Sequence, residues 1–173
     1  EELEKELDYW LDQIINKSFL EQYTKTKTKF KDISFSGNGE PTASKQFKAV
    51  IRILIRKIKK YNLDQIIIRL ITNGSYMSEL KTQEALSLLA SFNREVWFKI
   101  DQTNKEGVKT INQVNLSTLS VKKNLEAALQ NSPTFIQTCL FKLNTELPTS
   151  ESLATYINFL KPYRDKIKGI HLY

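Results

Sequence analysis

Between Ile33 and Thr42 the chain reads Ile-Ser-Phe-Ser-Gly-Asn-Gly-Glu-Pro-Thr, an alternation of apolar and small polar residues that runs into a glycine turn, a carboxylate and a proline. Glycine adopts backbone angles that leave carbonyl oxygens exposed, and asparagine also tolerates left-handed angles. The turn Gly37-Asn38-Gly39-Glu40 therefore has acceptors, including one carboxylate, suited to a small cation such as an ammonium. A plain strand-to-helix turn uses the same residue types, so the turn alone leaves binding and bare connection both open. A phosphate is disfavoured there, because Glu40 would repel it.

A second set of chemistry-bearing residues emerges from strand alternation. In Glu95–Asp101, Val96, Phe98 and Ile100 form one apolar face, which leaves Trp97, Lys99 and Asp101 on the other. Ile33 and Phe35 likewise oppose Ser34 and Ser36, and Ile136, Thr138 and Leu140 oppose Gln137 and Cys139. Ile170 and Leu172 oppose His171 and Tyr173. In a parallel sheet covered by helices one face must be apolar. Polar residues recurring on the opposite face therefore point into a cleft or a barrel interior, near the strand carboxyl ends where such folds bind ligands. Lys99 and Asp101 either address a ligand or satisfy each other, or Arg69, in a buried network. His171 is either a site residue or a hydrogen-bonded packing residue, and Cys139 reads as packing.

The elements that would position these residues follow from periodicity. Leu3, Leu7, Trp10, Leu11, Ile14, Ile15 and Phe19 predict an amphipathic first helix. A polar stretch, Thr24–Lys29, predicts a solvated connection. Strands are expected at 33–36, 66–72, 95–101, 134–141 and 167–173, with helices at 45–61, 78–92, 120–130 and 150–163. Repeats of this length predict right-handed crossovers and a parallel α/β sheet in one domain over 1–173, either open or curled toward a barrel. Asn73-Gly74 closes one strand, and Pro41, Pro133, Pro148 and Pro162 all fall in connections or at helix ends.

With 173 residues, 40% hydrophobic and 26% charged, the composition is that of a globular domain. Its apolar runs are far shorter than the ~20 residues that span a bilayer, and no leader-like segment precedes the first helix, which predicts a cytoplasmic protein without a membrane partner. The single cysteine, Cys139, excludes an internal disulfide and a cysteine-ligated metal centre built from this chain alone. The absence of an initiator methionine and an end within an apolar run predict that the chain is part of a longer one. A net charge of +7 is compatible with a nucleotide, a nucleic acid or an acidic protein as partner. Lys45, Lys48, Arg52, Arg56, Lys57, Lys59 and Lys60 could face RNA phosphates, with the Lys25–Lys31 run adding to the field, or form a solvated helix face.

Taken as a whole, Ser36–Thr42 resembles the Gly-Gly-Glu motif of radical S-adenosylmethionine enzymes, with Asn38 standing for the first glycine. Leu70-Ile71-Thr72-Asn73-Gly74 looks like the end of that family's third strand and Trp97–Asp101 like its fourth, so the resemblance spans roughly 33–173. It implies a partial (β/α)6 TIM-like barrel, strands two to six, with the first strand missing. It also implies S-adenosylmethionine as cofactor and a [4Fe-4S] cluster whose Cys-x3-Cys-x2-Cys ligands are not in this chain. Gly37, Asn38, Gly39 and Glu40 would take the methionine end of the cofactor, and Thr72 and Asn73 would lie beneath it. Lys99 and Asp101 would meet its carboxylate or ribose, while Gln137, His171 and Tyr173 would line the adenosine or substrate side. No catalytic side chain is implied, since the chemistry belongs to the cofactor and an external electron donor.

Ser36–Thr42 and Lys99–Asn104 followed by Ile111-Asn112 look most like the Fe–S oxidoreductases related to wyosine-forming tRNA enzymes, which implies a tRNA or another anionic substrate. The chain alone is expected to be inactive. The rival expectation is a non-redox binding module, RNA-binding in one version, on a similar α/β scaffold. Without a preceding strand, the edge at Ile33–Ser36 is expected to be uncovered and to pair with a second copy.

Overall fold

A computed structural model describes residues 2–24, 28–103, 117–142 and 148–173 of the chain. Lys25–Lys27 of the basic run, Asn104 and Ile111-Asn112 lie outside the described residues.

The first amphipathic pattern forms α1 (Glu2–Asn16), which breaks before α2 (Phe19–Thr24) instead of running on through Phe19. The break falls at Ser18, whose φ of +53° cannot continue a right-handed helix. The order then runs β1 (Asp32–Phe35), a 3₁₀ turn (Pro41–Ala43), α3 (Phe47–Lys60), β2 (Ile67–Thr72), α4 (Leu80–Ser87) and β3 (Arg94–Lys99). After it come α5 (Thr118–Asn131), β4 (Thr134–Thr138), α6 (Ser150–Leu160), a 3₁₀ turn (Lys161–Tyr163) and β5 (Ile167–Leu172). Several predicted elements are shorter than expected, among them β3, which stops at Lys99 and not at Asp101. The helix expected over 78–92 is helical only to Ser87 and continues as turns, and β4 stops at Thr138. Pro162 ends α6 in its tight last turn. Ser117 and Thr149 cap α5 and α6, accepting from the amides of Ser120 and Ser152 at 3.1 Å each.

The five strands form one parallel sheet in sequential order, β1-β2-β3-β4-β5. Crossovers of one hand between neighbouring strands put every helix on the same side, and burial follows that rule. Ile68, Leu70, Val96, Phe98 and Ile136 are each at most 3% exposed and pack with Ile51, Leu54, Ile58, Leu86 and Leu125 from the helices. The alternate residues Arg69, Ile71, Trp97, Lys99, Phe135 and Gln137 are only half-buried. One face of the sheet thus carries the core and the other is open, which is the property that creates the site. No helix among the described residues is long and apolar enough to cross a membrane.

α1 is held on α3 largely by charge. The Lys57 ammonium is buried between Asp8 at 2.7 Å and Glu4 at 3.1 Å, while Arg56 meets Glu4 and Lys60 meets Asp8. These contacts hold the Asp8 carboxyl down at about 2, through hydrogen bonds from Lys57 and then Lys60. Part of the basic face of α3 is therefore engaged in ion pairs, though of its cations only Lys57 is buried. Lys48 also pairs, with Glu84 of α4 at 2.6 Å. Of the seven cations, Lys45, Arg52 and Lys59 stay exposed with no ion pair among the described residues.

Candidate functional site

The glycine turn leaves the carboxyl end of β1 with Gly37 at φ +147° and Gly39 at φ +107°. Asn38 does not use the left-handed angles that asparagine tolerates, so in this turn the two glycines carry the unusual backbone. A Cβ at either glycine would meet nothing within 4 Å, hence the turn presents its backbone to open space. No hydrogen bond engages the backbone of residues 37–39 among the described residues.

Glu40 does something other than what the sequence suggests. Its Oε1 accepts from the Thr42 amide at 3.1 Å, the Thr42 hydroxyl at 2.5 Å and the Thr72 hydroxyl at 2.6 Å, and its Oε2 accepts from the Asn73 amide at 2.8 Å. With four donors on it, the carboxylate is a strut that caps the 3₁₀ turn and ties the loop to the end of β2. Oε2 keeps a lone pair beyond its single donor, so Glu40 can still meet a bound ammonium beside the turn's carbonyls, which have no donor among the described residues. Thr72 then donates no further proton but accepts from the Gly74 amide at 2.9 Å, and Asn73 Oδ1 accepts from Ser75 at 2.9 Å. The end of β2 is thus fixed before any ligand arrives.

On β3, the Lys99 ammonium lies 3.4 Å from Asp101 Oδ2, and Asp101 Oδ1 accepts from the Cys139 amide at 2.8 Å. Burial depresses the lysine's pKa, but Asp101 and Tyr173 more than offset that and leave it raised. The Lys99 side chain is 39% exposed and the Asp101 side chain 2%, so the lysine faces the open side as a held cation while the aspartate locks β3 to β4.

Around these groups a cleft of about 430 Å³ opens at the carboxyl ends of the strands. Gly37, Gly39, Glu40, Thr72, Asn73, Lys99, Gln137 and Tyr173 line it, together with Ser36 and Ile71. Ile71 was not among the expected site residues, whereas alternation already put Ser36 on the face toward the cleft. Ile71 could have been found by carrying the alternation of Arg69 two residues on.

Three expected residues stand apart from the cleft wall. Asn38 borders a neighbouring hollow of about 270 Å³ along the same loop. Asp101 is buried behind Lys99. His171 is stacked on Trp97, with ring centres 4.5 Å apart, and on Phe135 at 5.2 Å. Arg69 closes this layer from the far side, its guanidinium 4.2 Å from the Trp97 ring centre while pairing with Asp32 at 2.9 Å and Glu95 at 3.2 Å. The open face is therefore tiered, with an ionic cluster, an aromatic layer and then the polar cleft. Arg69 takes its carboxylates from Asp32 and Glu95, leaving Asp101 to Lys99.

Chemically, the cleft offers uncommitted backbone carbonyls, one ammonium, an amide and a phenol. That set matches a small zwitterion carrying a further polar group. Among the described residues no group of three or more His, Cys, Asp or Glu side chains is placed to hold a metal ion. No protein-family model matches the chain, and no curated protein matches it.

Proposed function

We propose that this chain is the core of a radical S-adenosylmethionine enzyme, its sheet an arc of a (β/α)6 barrel and its cleft the cradle for the cofactor's methionine end. The observation that carries the reading is the pairing, within one cleft, of Gly37 and Gly39, whose carbonyls have no donor among the described residues, with the Lys99 ammonium. An amino acid needs both, acceptors for its ammonium and a cation for its carboxylate. Thr72 and Asn73, pinned by Glu40, support the turn from below. Gln137 and Tyr173 flank the nucleoside side. Asp101 acts by holding Lys99, and His171 by backing the wall through Trp97.

The cofactor held by these residues would supply one-electron radical chemistry for hydrogen abstraction from substrate. One cysteine cannot supply the three thiolates of the family's [4Fe-4S] cluster, so the residues of this chain do not fit that centre. What this chain contributes is binding, orientation and a preset hydrogen-bond frame. The proposed reaction also takes an electron donor and a tRNA or other anionic substrate, in the cytoplasm.

Isothermal titration of the chain with S-adenosylmethionine tests the cradle. Saturable binding is expected, weakened roughly 10- to 100-fold by Lys99→Met through loss of one charge-assisted hydrogen bond. Binding that ignores the substitution refutes the assignment of Lys99, and no binding refutes the cradle. The single cysteine also favours a second reading, a non-redox module that binds RNA through exposed cations such as Lys45, Arg52 and Lys59. Salt-dependent RNA binding with no response to the cofactor would select it.

A further inference from the structure

The chain holds two Asn-Gly pairs, Asn38-Gly39 and Asn73-Gly74, each just past the carboxyl end of one of two neighbouring strands. An asparagine followed by glycine can react with its own backbone. Because glycine has no Cβ in the way, its amide nitrogen can reach the side-chain carbonyl carbon of the asparagine before it. Structure decides whether it does. The asparagine side chain must be free to swing, the glycine amide must be free of a hydrogen bond, and the turn must have room for a small ring.

Asn73-Gly74 meets none of these conditions. Asn73 Oδ1 accepts from the Ser75 amide at 2.9 Å, the Asn73 amide is tied to Glu40, and the Gly74 amide donates to Thr72 Oγ1 at 2.9 Å. A Cβ on Gly74 would lie 2.0 Å from Cζ of Phe98, so the backbone there has no space to reshape.

Asn38-Gly39 meets all of them. Asn38 is exposed, and neither its side chain nor the Gly39 amide has a hydrogen-bond partner among the described residues. A Cβ on Gly39 would meet nothing within 4 Å, and Gly39 borders both the cleft and the neighbouring hollow.

We propose that Asn38 is a site of self-modification by deamidation. The Gly39 amide gives its proton to solvent base, its nitrogen bonds to Cγ of Asn38, and the Cγ–Nδ2 bond breaks with release of ammonia. Water then opens the cyclic imide at one or the other of its carbonyls. One opening leaves aspartate at position 38, the other isoaspartate, whose main chain runs on through Cβ. Both put a second carboxylate next to Glu40. The isoaspartyl form also adds a methylene to the main chain between Gly37 and Gly39, which line the cleft. Deamidation therefore alters the charge and shape of the cleft wall, whatever the cleft binds.

The two pairs make the test internal. Trypsin cuts after Lys31 and Lys45 and after Arg69 and Lys81, so Asn38 and Asn73 fall in separate peptides, each the only side-chain amide in its own. The folded chain is held in mildly alkaline buffer, digested beside an unincubated sample, and read by chromatography and mass spectrometry. The Asn38 peptide is expected to gain the mass difference between an amide and an acid and to split into aspartyl and isoaspartyl forms. The Asn73 peptide is expected to convert at least about tenfold more slowly, because its hydrogen bonds must open first. In urea that unfolds the chain, both are expected to convert at similar rates. Asn38→Gln, which sets the carbonyl one methylene farther away, is expected to suppress the change in its peptide. Conversion at Asn38 no faster than at Asn73 in the folded chain, or an Asn73 that stays slow after unfolding, overturns the proposal.

Discussion

Replacing Gly74 by alanine tests how tightly the end of β2 is built. Gly74 has a φ of +76°, and a Cβ there would lie 2.0 Å from Cζ, 2.4 Å from Cε2 and 2.7 Å from Cε1 of Phe98. The backbone conformation alone costs an L-residue about 1–2 kcal/mol. The ring cannot swing into solvent, because Phe98 is 1% exposed and enclosed by the core, so overpacking adds about 1–3 kcal/mol. Together these predict a loss of about 2–5 kcal/mol. With a urea slope of roughly 2 kcal/mol/M, the unfolding midpoint falls by roughly 1–2.5 M. Phe98→Leu in the same chain removes the clash, so a double-mutant cycle is expected to recover at least about 1 kcal/mol of coupling. A midpoint for Gly74→Ala within about 0.25 M of wild type, or strict additivity with Phe98→Leu, would refute the steric reasoning.

Acid should release α1. The folded Asp8 carboxyl sits near 2, below its ordinary 3.8, so its contribution is full above the ordinary value and is lost as pH falls from there toward 2. In a Trp97→Phe background, Trp10 emission is expected to change over that window, and Lys57→Met to remove the step; an unchanged step would mean other groups hold the helix. Glu40→Ala leaves the amides of Thr42 and Asn73 and the Thr72 hydroxyl without their acceptor, which predicts a loss of about 2–4 kcal/mol in urea unfolding. A neutral result there would show that the strut is replaced by water.

The open face was legible because alternation is a local property. In β3 the pattern from Val96 to Ile100 assigns each side chain a face, and the sheet obeys it. Parallel order followed from the spacing of strands and helices. Three features were hidden for a common reason, that partners distant in sequence decide them. Glu40 looks like a free carboxylate until Thr72 and Asn73 from β2 arrive on it. The basic face of α3 reads as a phosphate surface or a solvated face, and its ion pairs become visible only when α1 lays Glu4 and Asp8 against it. His171 reads as either a site residue or a packing residue, and its stacking on Trp97 and Phe135 becomes visible only when β3, β4 and β5 come together. The helix side of β5 showed the converse, because Ile170 and Leu172 have the pattern of covered residues and no cover among the described residues.

The glycine turn is central to the account, and the sequence has five glycines, so its amides are readily followed by nitrogen-correlated NMR. Titrating S-adenosylmethionine into the labelled chain is predicted to shift the Gly37 and Gly39 amides together, saturably, while Gly169 on β5 stays in place. Lys99→Met should move the same titration to higher concentration. Shifts confined to other residues, or no shift at Gly37 and Gly39 at saturating cofactor, would contradict the cradle.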